Sequence, residues 1–312
     1  MGKLAFVFPG QGSQYVGMGK ELFETNSGQE VYAVAHKVLG KDFLRILETG
    51  PEEELQLTYN TQPAILLVSI AAWRQLQAAG IEADYHAGHS LGEYSAHVAA
   101  GSLSLEDALR IVRRRGELMQ VAVPEGQGSM AAILGLVSDK VEEACERASE
   151  GGPVGPANYN CPGQIVISGE TQAVFKAMEW AKILGAKRVI PLPVSGPFHS
   201  VLMRGVAQEL QQVLQEVEWS SPRCPVIANI DAREVKDSQR MIESLVQQVS
   251  GAVLWEQSIR YLIAHGVDTF VECGPGKVLT GLIKKIAPEA GLQQVGDLVS
   301  LEKSLAYLKG SR

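Results

Sequence analysis

The 312 residues carry 35 acidic and 28 basic side chains, a formal charge of −7. That balance argues against nucleic acid as the main partner, because phosphate binding draws its affinity from clustered Lys and Arg. With 46% hydrophobic and 20% charged residues, the composition is neither disordered nor fibrous, and the length suggests about two domains of roughly 150 residues each. The longest apolar stretch, residues 63–73, contains Ser69 and runs into Arg74 and Gln75, short of the roughly 20 residues a membrane span needs. Residues 4–8 form too short an apolar run before Pro9-Gly10 to be a signal peptide. A cytoplasmic location and no membrane partner are expected by default. Cys145, Cys161, Cys224 and Cys273 are scattered with no Cys-x-x-Cys pair, so neither a disulfide framework nor a metal site is indicated.

Residues 4–8 predict a short buried strand, broken by Pro9-Gly10-Gln11-Gly12-Ser13. A helical pattern follows over 63–79, with Thr61 as cap, Pro63 near the first turn and Gly80 as the stop. A strand ending near Ala87 meets Gly88-His89-Ser90-Leu91-Gly92, and a helix over 91–100 is closed by Gly101. Ser104 can cap the next helix, from 105 to about 121. This alternation is the grammar of an α/β sheet. Between Pro124 and Pro193 the rhythm changes to strand 130–137, helix 139–149, strands 154–159 and 164–168, helix 171–184 and strand 187–192. That order, βαββαβ, is the ferredoxin-like unit. Helix 201–217, strand 226–229, helices 241–248 and 255–264, strand 267–271 and helix 277–286 complete the chain. The expectation is one discontinuous α/β domain, 1–124 and 194–312, with a ferredoxin-like domain, 125–193, inserted.

Gly88-x-Ser90-x-Gly92 matches the nucleophile-elbow pattern, in which small neighbours permit a strained turn that exposes a serine hydroxyl. Its place between a predicted strand and a predicted helix raises it above a chance match, and aims the helix N-terminus at charge developing beside Ser90. A serine hydroxyl needs a base. Among six histidines, His36 and His265 sit in helical patterns and His97 reads as structural or surface, while His86 at a strand end has no assignment. His89 adjoins Ser90, and neighbours on such a turn point apart. His199 lies in the Gly/Pro-shaped loop Ser195-Gly196-Pro197-Phe198-His199, and such loops carry functional groups; spacing alone leaves His89 open beside it. Asp107 and Asp139 both fall in helices, so a Ser/His pair whose ring is oriented by a backbone carbonyl is simpler than a triad.

Together Phe8-Pro9-Gly10-Gln11-Gly12-Ser13-Gln14, Gly88-His89-Ser90-Leu91-Gly92-Glu93, Arg115-Gly116 with Met119-Gln120, Phe198-His199-Ser200 with Leu202-Met203, and Gly274-Pro275-Gly276 resemble the malonyl-CoA:acyl carrier protein transacylases of bacterial fatty-acid synthesis. The motifs stand in family order over nearly the whole chain. The resemblance implies an α/β-hydrolase-like core with the ferredoxin-like insert. It implies Ser90 as the nucleophile, His199 as general base and acid, and the backbone N–H groups of Gln11 and Leu91 as an oxyanion hole. It also implies that the Gln248 carbonyl, with Gln247 as the alternative, orients His199, since Gly251-Ala252 stands where the family often has Asn-Pro. Asn158, Asn160 and Gln164 resemble its structural amides.

Arg113-Arg114-Arg115 reads first as a solvated basic face, and the resemblance selects Arg115 as the partner of the malonyl carboxylate. A guanidinium fork pairs bidentately with a carboxylate, as Lys cannot. If desolvated, it would disfavour an acetyl group by roughly 3 to 5 kcal/mol. Phe198 resembles the malonyl-selecting form of its loop. The implied partners are malonyl-CoA and acyl carrier protein, with no metal or other cofactor and a monomeric chain. Acidic carrier proteins would need a basic patch, for which Arg113 with Arg114, Lys187 with Arg188, and Lys284 with Lys285 are candidates beside their reading as solubilising pairs. Tyr15 and Met18 break the dinucleotide and P-loop patterns that Gly10-x-Gly12 suggests. A serine thioesterase or hydrolase on the same elbow is the main alternative, and a docking module with a decayed site is another.

Overall fold

The computed structural model describes residues 2–194 and 196–310; Ser195, in the expected histidine loop, lies outside them. In chain order the elements are β1 (Lys3–Phe8), α1 (Lys20–Phe23), α2 (Asn26–Thr49), α3 (Glu52–Gln56), α4 (Thr58–Ala78), β2 (Tyr85–Gly88), α5 (Gly92–Ala100), α6 (Leu105–Val121) and β3 (Gly128–Leu134). There follow α7 (Ser138–Ala148), β4 (Val154–Cys161), β5 (Gln164–Glu170), α8 (Thr171–Ile183), β6 (Arg188–Pro191), α9 (Arg204–Gln215), β7 (Val226–Ile227) and β8 (Glu234–Val235). The chain ends with α10 (Ser238–Ser250), α11 (Trp255–Ala264), β9 (Val267–Cys273), α12 (Val278–Ile286), β10 (Gly291–Val295) and α13 (Leu298–Gly310).

Two sheets organise these elements. The larger has the order β10-β9-β1-β2-β7-β8 and is parallel except for the short β8 at its edge. β1 lies at its centre, and its two faces show why residues 4–8 read as an unbroken apolar run. Leu4, Phe6 and Phe8 enter the core under α2, α4 and α6, while Ala5 and Val7 enter a second core with α11 and α12. A parallel strand covered on both faces has no polar side to alternate with. The helix α4 is buried on nearly every side from Ala64 to Ala72, which makes it a core element rather than an amphipathic surface one. The smaller sheet is antiparallel with the order β4-β5-β3-β6. In β3, Ala131 and Ile133 face α7 and α8, whereas Met130 and Ala132 face the main core. A parallel bridge from Asn158 to Val253 joins the two units, with Tyr159 N–H donating to the Val253 carbonyl at 2.9 Å.

The βαββαβ order is observed, with boundaries shifted by a few residues. The strand expected to reach 137 ends at Leu134 because Gly135 turns the chain at φ 76°. The helix expected from 63 starts five residues earlier, at Thr58, with Leu57 as its cap. Thr61 is therefore not a cap; its hydroxyl and the Asn60 amide donate back to the carbonyls of Leu55 and Glu54 at 2.6 and 2.8 Å. Pro63 sits in the second turn, and its missing N–H frees the Tyr59 carbonyl. Arg113 takes that carbonyl at 3.3 Å and Asn60 Oδ1 at 2.6 Å, so Arg113 is a helix brace rather than part of a solvated face. Helix 201–217 divides into a single 3-10 turn, Val201–Met203, and α9. Strand 226–229 is only the two-residue β7. The sequence suggested no element for α1, α2, α3, β8, β10 or α13. In α2, Gly40 at φ 81° interrupts the helix, so its apolar positions do not run in one register.

Candidate active site

The site lies at the carboxyl ends of β1 and β2, where open α/β sheets place their ligands. Phe8 and Gly88 are partners in register, so the loops that follow them are neighbours. Ser90 adopts φ 52°, a left-handed conformation rare outside glycine. Its glycines are required by contact. A Cβ at Gly88 would lie 1.9 Å from the Gly92 backbone, one at Gly92 2.0 Å from the Phe8 carbonyl oxygen, and one at Gly10 2.5 Å from the His89 carbonyl oxygen. The turn is thereby pressed against both the following helix and the β1 loop. Gln11 and Leu91 lie on these two loops and line the same cleft, and neither backbone N–H donates to an acceptor among the described residues.

His199 reaches Ser90 from the far side of the smaller sheet in sequence. Its Nε2 lies 2.7 Å from Ser90 Oγ and its Nδ1 2.8 Å from the Gln248 carbonyl oxygen. A carbonyl can only accept, so Nδ1 carries the proton and Nε2 is left to accept from the serine hydroxyl. His199 also has a positive φ, 58°. Burial, reinforced by the charge of Arg115, pushes its pKa down to about 3. Of the two glutamines left open by the sequence, Gln248 holds the ring. The other histidines are elsewhere. His89 turns to Asn160 Oδ1 at 2.8 Å and packs on Trp255. His86 and His97 are buried, against Phe6 and Trp219 respectively, so His97 is structural rather than superficial. His36 and His265 are exposed.

Arg115 is 1% exposed and sits in the same cleft. It donates to Gln62 Oε1 at 2.7 Å, to Gln248 Oε1 at 3.0 Å and, at 3.3 Å, to Ser90 Oγ. Its Nε has no partner, and no carboxylate among the described residues lies within ion-pair distance. A buried cation held only by neutral groups is costly, and it lowers the Arg115 pKa. The cleft encloses about 280 Å³. Arg115, Ser90 and His199 line it together with an apolar set, Met130, Ala132 and Val166 of the smaller sheet and Val278 and Leu282 of α12. Asn158, Asn160, Gln164 and Phe198 also line it.

Three site residues were given no role by the sequence, although Glu93 stands at the end of one of the quoted motifs. Asn229, just beyond β7, accepts from Ser90 N–H at 2.7 Å and donates to the Gly88 carbonyl at 2.7 Å, clamping the turn. Glu93 accepts from Asn229 N–H and from Gln248 Nε2. Gln62 supports Arg115 from α4. The available signal was a polar residue at the carboxyl end of a buried strand, which Asn229 satisfies.

Residues 5–300 match the family model of the acyl transferase domain. The chain is 48% identical over 311 residues to the malonyl CoA-acyl carrier protein transacylase of Bacillus subtilis, covering 99% of this chain and 98% of that protein. It belongs to the malonyl-CoA:acyl carrier protein transacylase family. The acyl carrier protein S-malonyltransferase of Vibrio cholerae superposes with a TM-score of 0.94 at 44% identity, over 97% of this chain and 99% of that one. A malonyl-transacylase solved in complex with a type II PKS acyl-carrier protein superposes with a TM-score of 0.95 at 42% identity, over 98% and 99%. The family read from the motifs is thus borne out.

Proposed function

We propose that this chain moves the malonyl group of malonyl-CoA to the phosphopantetheine thiol of acyl carrier protein, by way of a malonyl ester on Ser90. The observation that carries the reading is the buried Arg115 cation, with no carboxylate of the described residues within ion-pair distance, beside the Ser90–His199 pair. Ser90 Oγ attacks the thioester carbonyl carbon while its proton passes to His199 Nε2. The oxygen that gains charge lies toward the N–H groups of Gln11 and Leu91. Collapse expels the CoA sulfur, which takes the proton from Nε2. The carrier thiol then attacks the ester, its proton passing to Nε2 and on to Ser90 Oγ. Asn229 and Gln248 hold the turn and the ring while charge moves. The thioester supplies the activation, so no cofactor enters these steps, and the kinetics are ping-pong.

The same reading takes the larger sheet, with residues 1–124 and 194–312, as an α/β-hydrolase-like core and residues 125–193 as a ferredoxin-like insert. The parallel order around β1 and the βαββαβ order support it. A monomer in the cytoplasm completes it; no helix among the described residues is long and apolar enough to cross a membrane. Intact-protein mass spectrometry tests the function. Malonyl-CoA alone leaves one malonyl group on the protein, absent in Ser90→Ala, which persists until carrier thiol is added. Rapid loss to water would instead assign a thioesterase or hydrolase.

A further inference from the structure

Glu93, in the first turn of α5, is 0% exposed and has no place in the steps above. Its Oε2 accepts from Asn229 N–H at 2.9 Å and from Gln248 Nε2 at 2.8 Å, while its Oε1 has no partner among the described residues. The same Gln248 carboxamide accepts from Arg115 Nη2 through Oε1 at 3.0 Å and donates from Nε2 to the Ser90 carbonyl at 3.0 Å. A guanidinium, an amide and a carboxylate therefore stand in line, with the amide dipole oriented to suit the charge at each end. We infer that Glu93 is a positioning residue for the acyl carboxylate, acting as the resident counter-charge of Arg115 through Gln248 and giving up that charge when a carboxylate enters the cleft. The inference rests on the reading of Arg115 as the holder of the malonyl carboxylate.

Glu93 faces Arg115 from α6 and Asp231 from the segment beyond β7, with Tyr94 beside it on α5 and His199 beyond Gln248; Asp231 is itself paired with Arg240. Burial pushes the Glu93 carboxyl up to about 7, against the lowering effect of its two hydrogen bonds and of Arg115. A substrate carboxylate on Arg115 would set two buried anions against one cation, so binding favours protonated Glu93 and takes up a proton. The proton can go to Oε1, leaving both bonds to Oε2 intact. The geometry around Ser90 survives the neutralisation.

The KM for malonylation of Ser90 tests this across about pH 5.5 to 8.5, with acetyl-CoA as the neutral probe that shares every group except the carboxylate. The wild-type KM for malonyl-CoA is expected to rise above pH 7, by up to about tenfold per pH unit, while that for acetyl-CoA does not share the rise. In Glu93→Gln the rise disappears, and the KM at pH 8 falls below the wild-type value. A wild-type KM with the same pH dependence for both thioesters overturns the proposal, and this needs no variant to fold. A malonyl-specific rise retained in Glu93→Gln overturns it too, because another group would then be titrating. Arg115→Ala separates the two layers. If it loses malonyl preference while Glu93→Gln keeps the rise, only Glu93 is misassigned; if it keeps malonyl preference, the Arg115 reading falls and takes this inference with it.

Discussion

Burial and the neighbouring Arg115 charge hold His199 neutral far below the ordinary histidine range, down to about pH 3. The sign follows directly: a base whose pKa is lowered stays unprotonated as the pH falls through 7, 6 and 5. At saturating malonyl-CoA, the rate of Ser90 malonylation is therefore expected to stay flat from about pH 8 to pH 5. Stopped-flow or quenched-flow measurement of the acyl-enzyme checks this, and an inflection near 6.5 would mean that the ring is more solvated than the structure has it. Ser90 was legible in the sequence because small residues surround it; the Gly/Pro loop made His199 a candidate beside His89, and the family resemblance chose between them. Glu93, Asn229 and Gln62 were not legible. Asn229 meets Ser90 across 139 positions and Gln248 meets Glu93 across 155, and no local spacing encodes such a meeting.

Among the elements, the contact of α4 with α6 decides where Arg115 points. Gly116 lets the two helices touch: a Cβ there would lie 2.5 Å from Tyr59 Cα and 2.8 Å from the Thr58 carbonyl oxygen. Alanine in a helix gains about 0.5–1 kcal/mol over glycine in propensity, but overpacking against a backbone costs about 1–3 kcal/mol. Gly116→Ala is thus expected to destabilise the protein by about 1–2 kcal/mol in urea unfolding. It should also cut malonyl transfer more than acetyl transfer, since α6 carries Arg115 with it when it moves. The start of α4 illustrates where local reading stops. Thr61 before Pro63 has the chemistry of a cap, yet the hydroxyl bonds back to Leu55, and the carbonyl that Pro63 frees is met by Arg113 from another helix. The βαββαβ unit was readable because Gly and Pro mark its edges and short strand and helix patterns change over between them. The two-faced core strand β1 was readable because its apolar run is short and bounded by Pro9-Gly10.

For the molecule as a whole, the nucleophile and its base come from segments 109 positions apart, and both sit in left-handed backbone. A non-glycine residue there costs about 1–2 kcal/mol, which the surrounding fold must absorb. Comparing Ser90→Gly with Ser90→Ala isolates that cost, because both lose the hydroxyl and only glycine relaxes the turn. The glycine variant is expected to be the more stable by about 0.5–1 kcal/mol in thermal unfolding, reversing the usual ranking of the two residues. Endurance and reactivity therefore pull against each other at this one position. A chain selected only to survive heat would carry glycine there and lose its nucleophile.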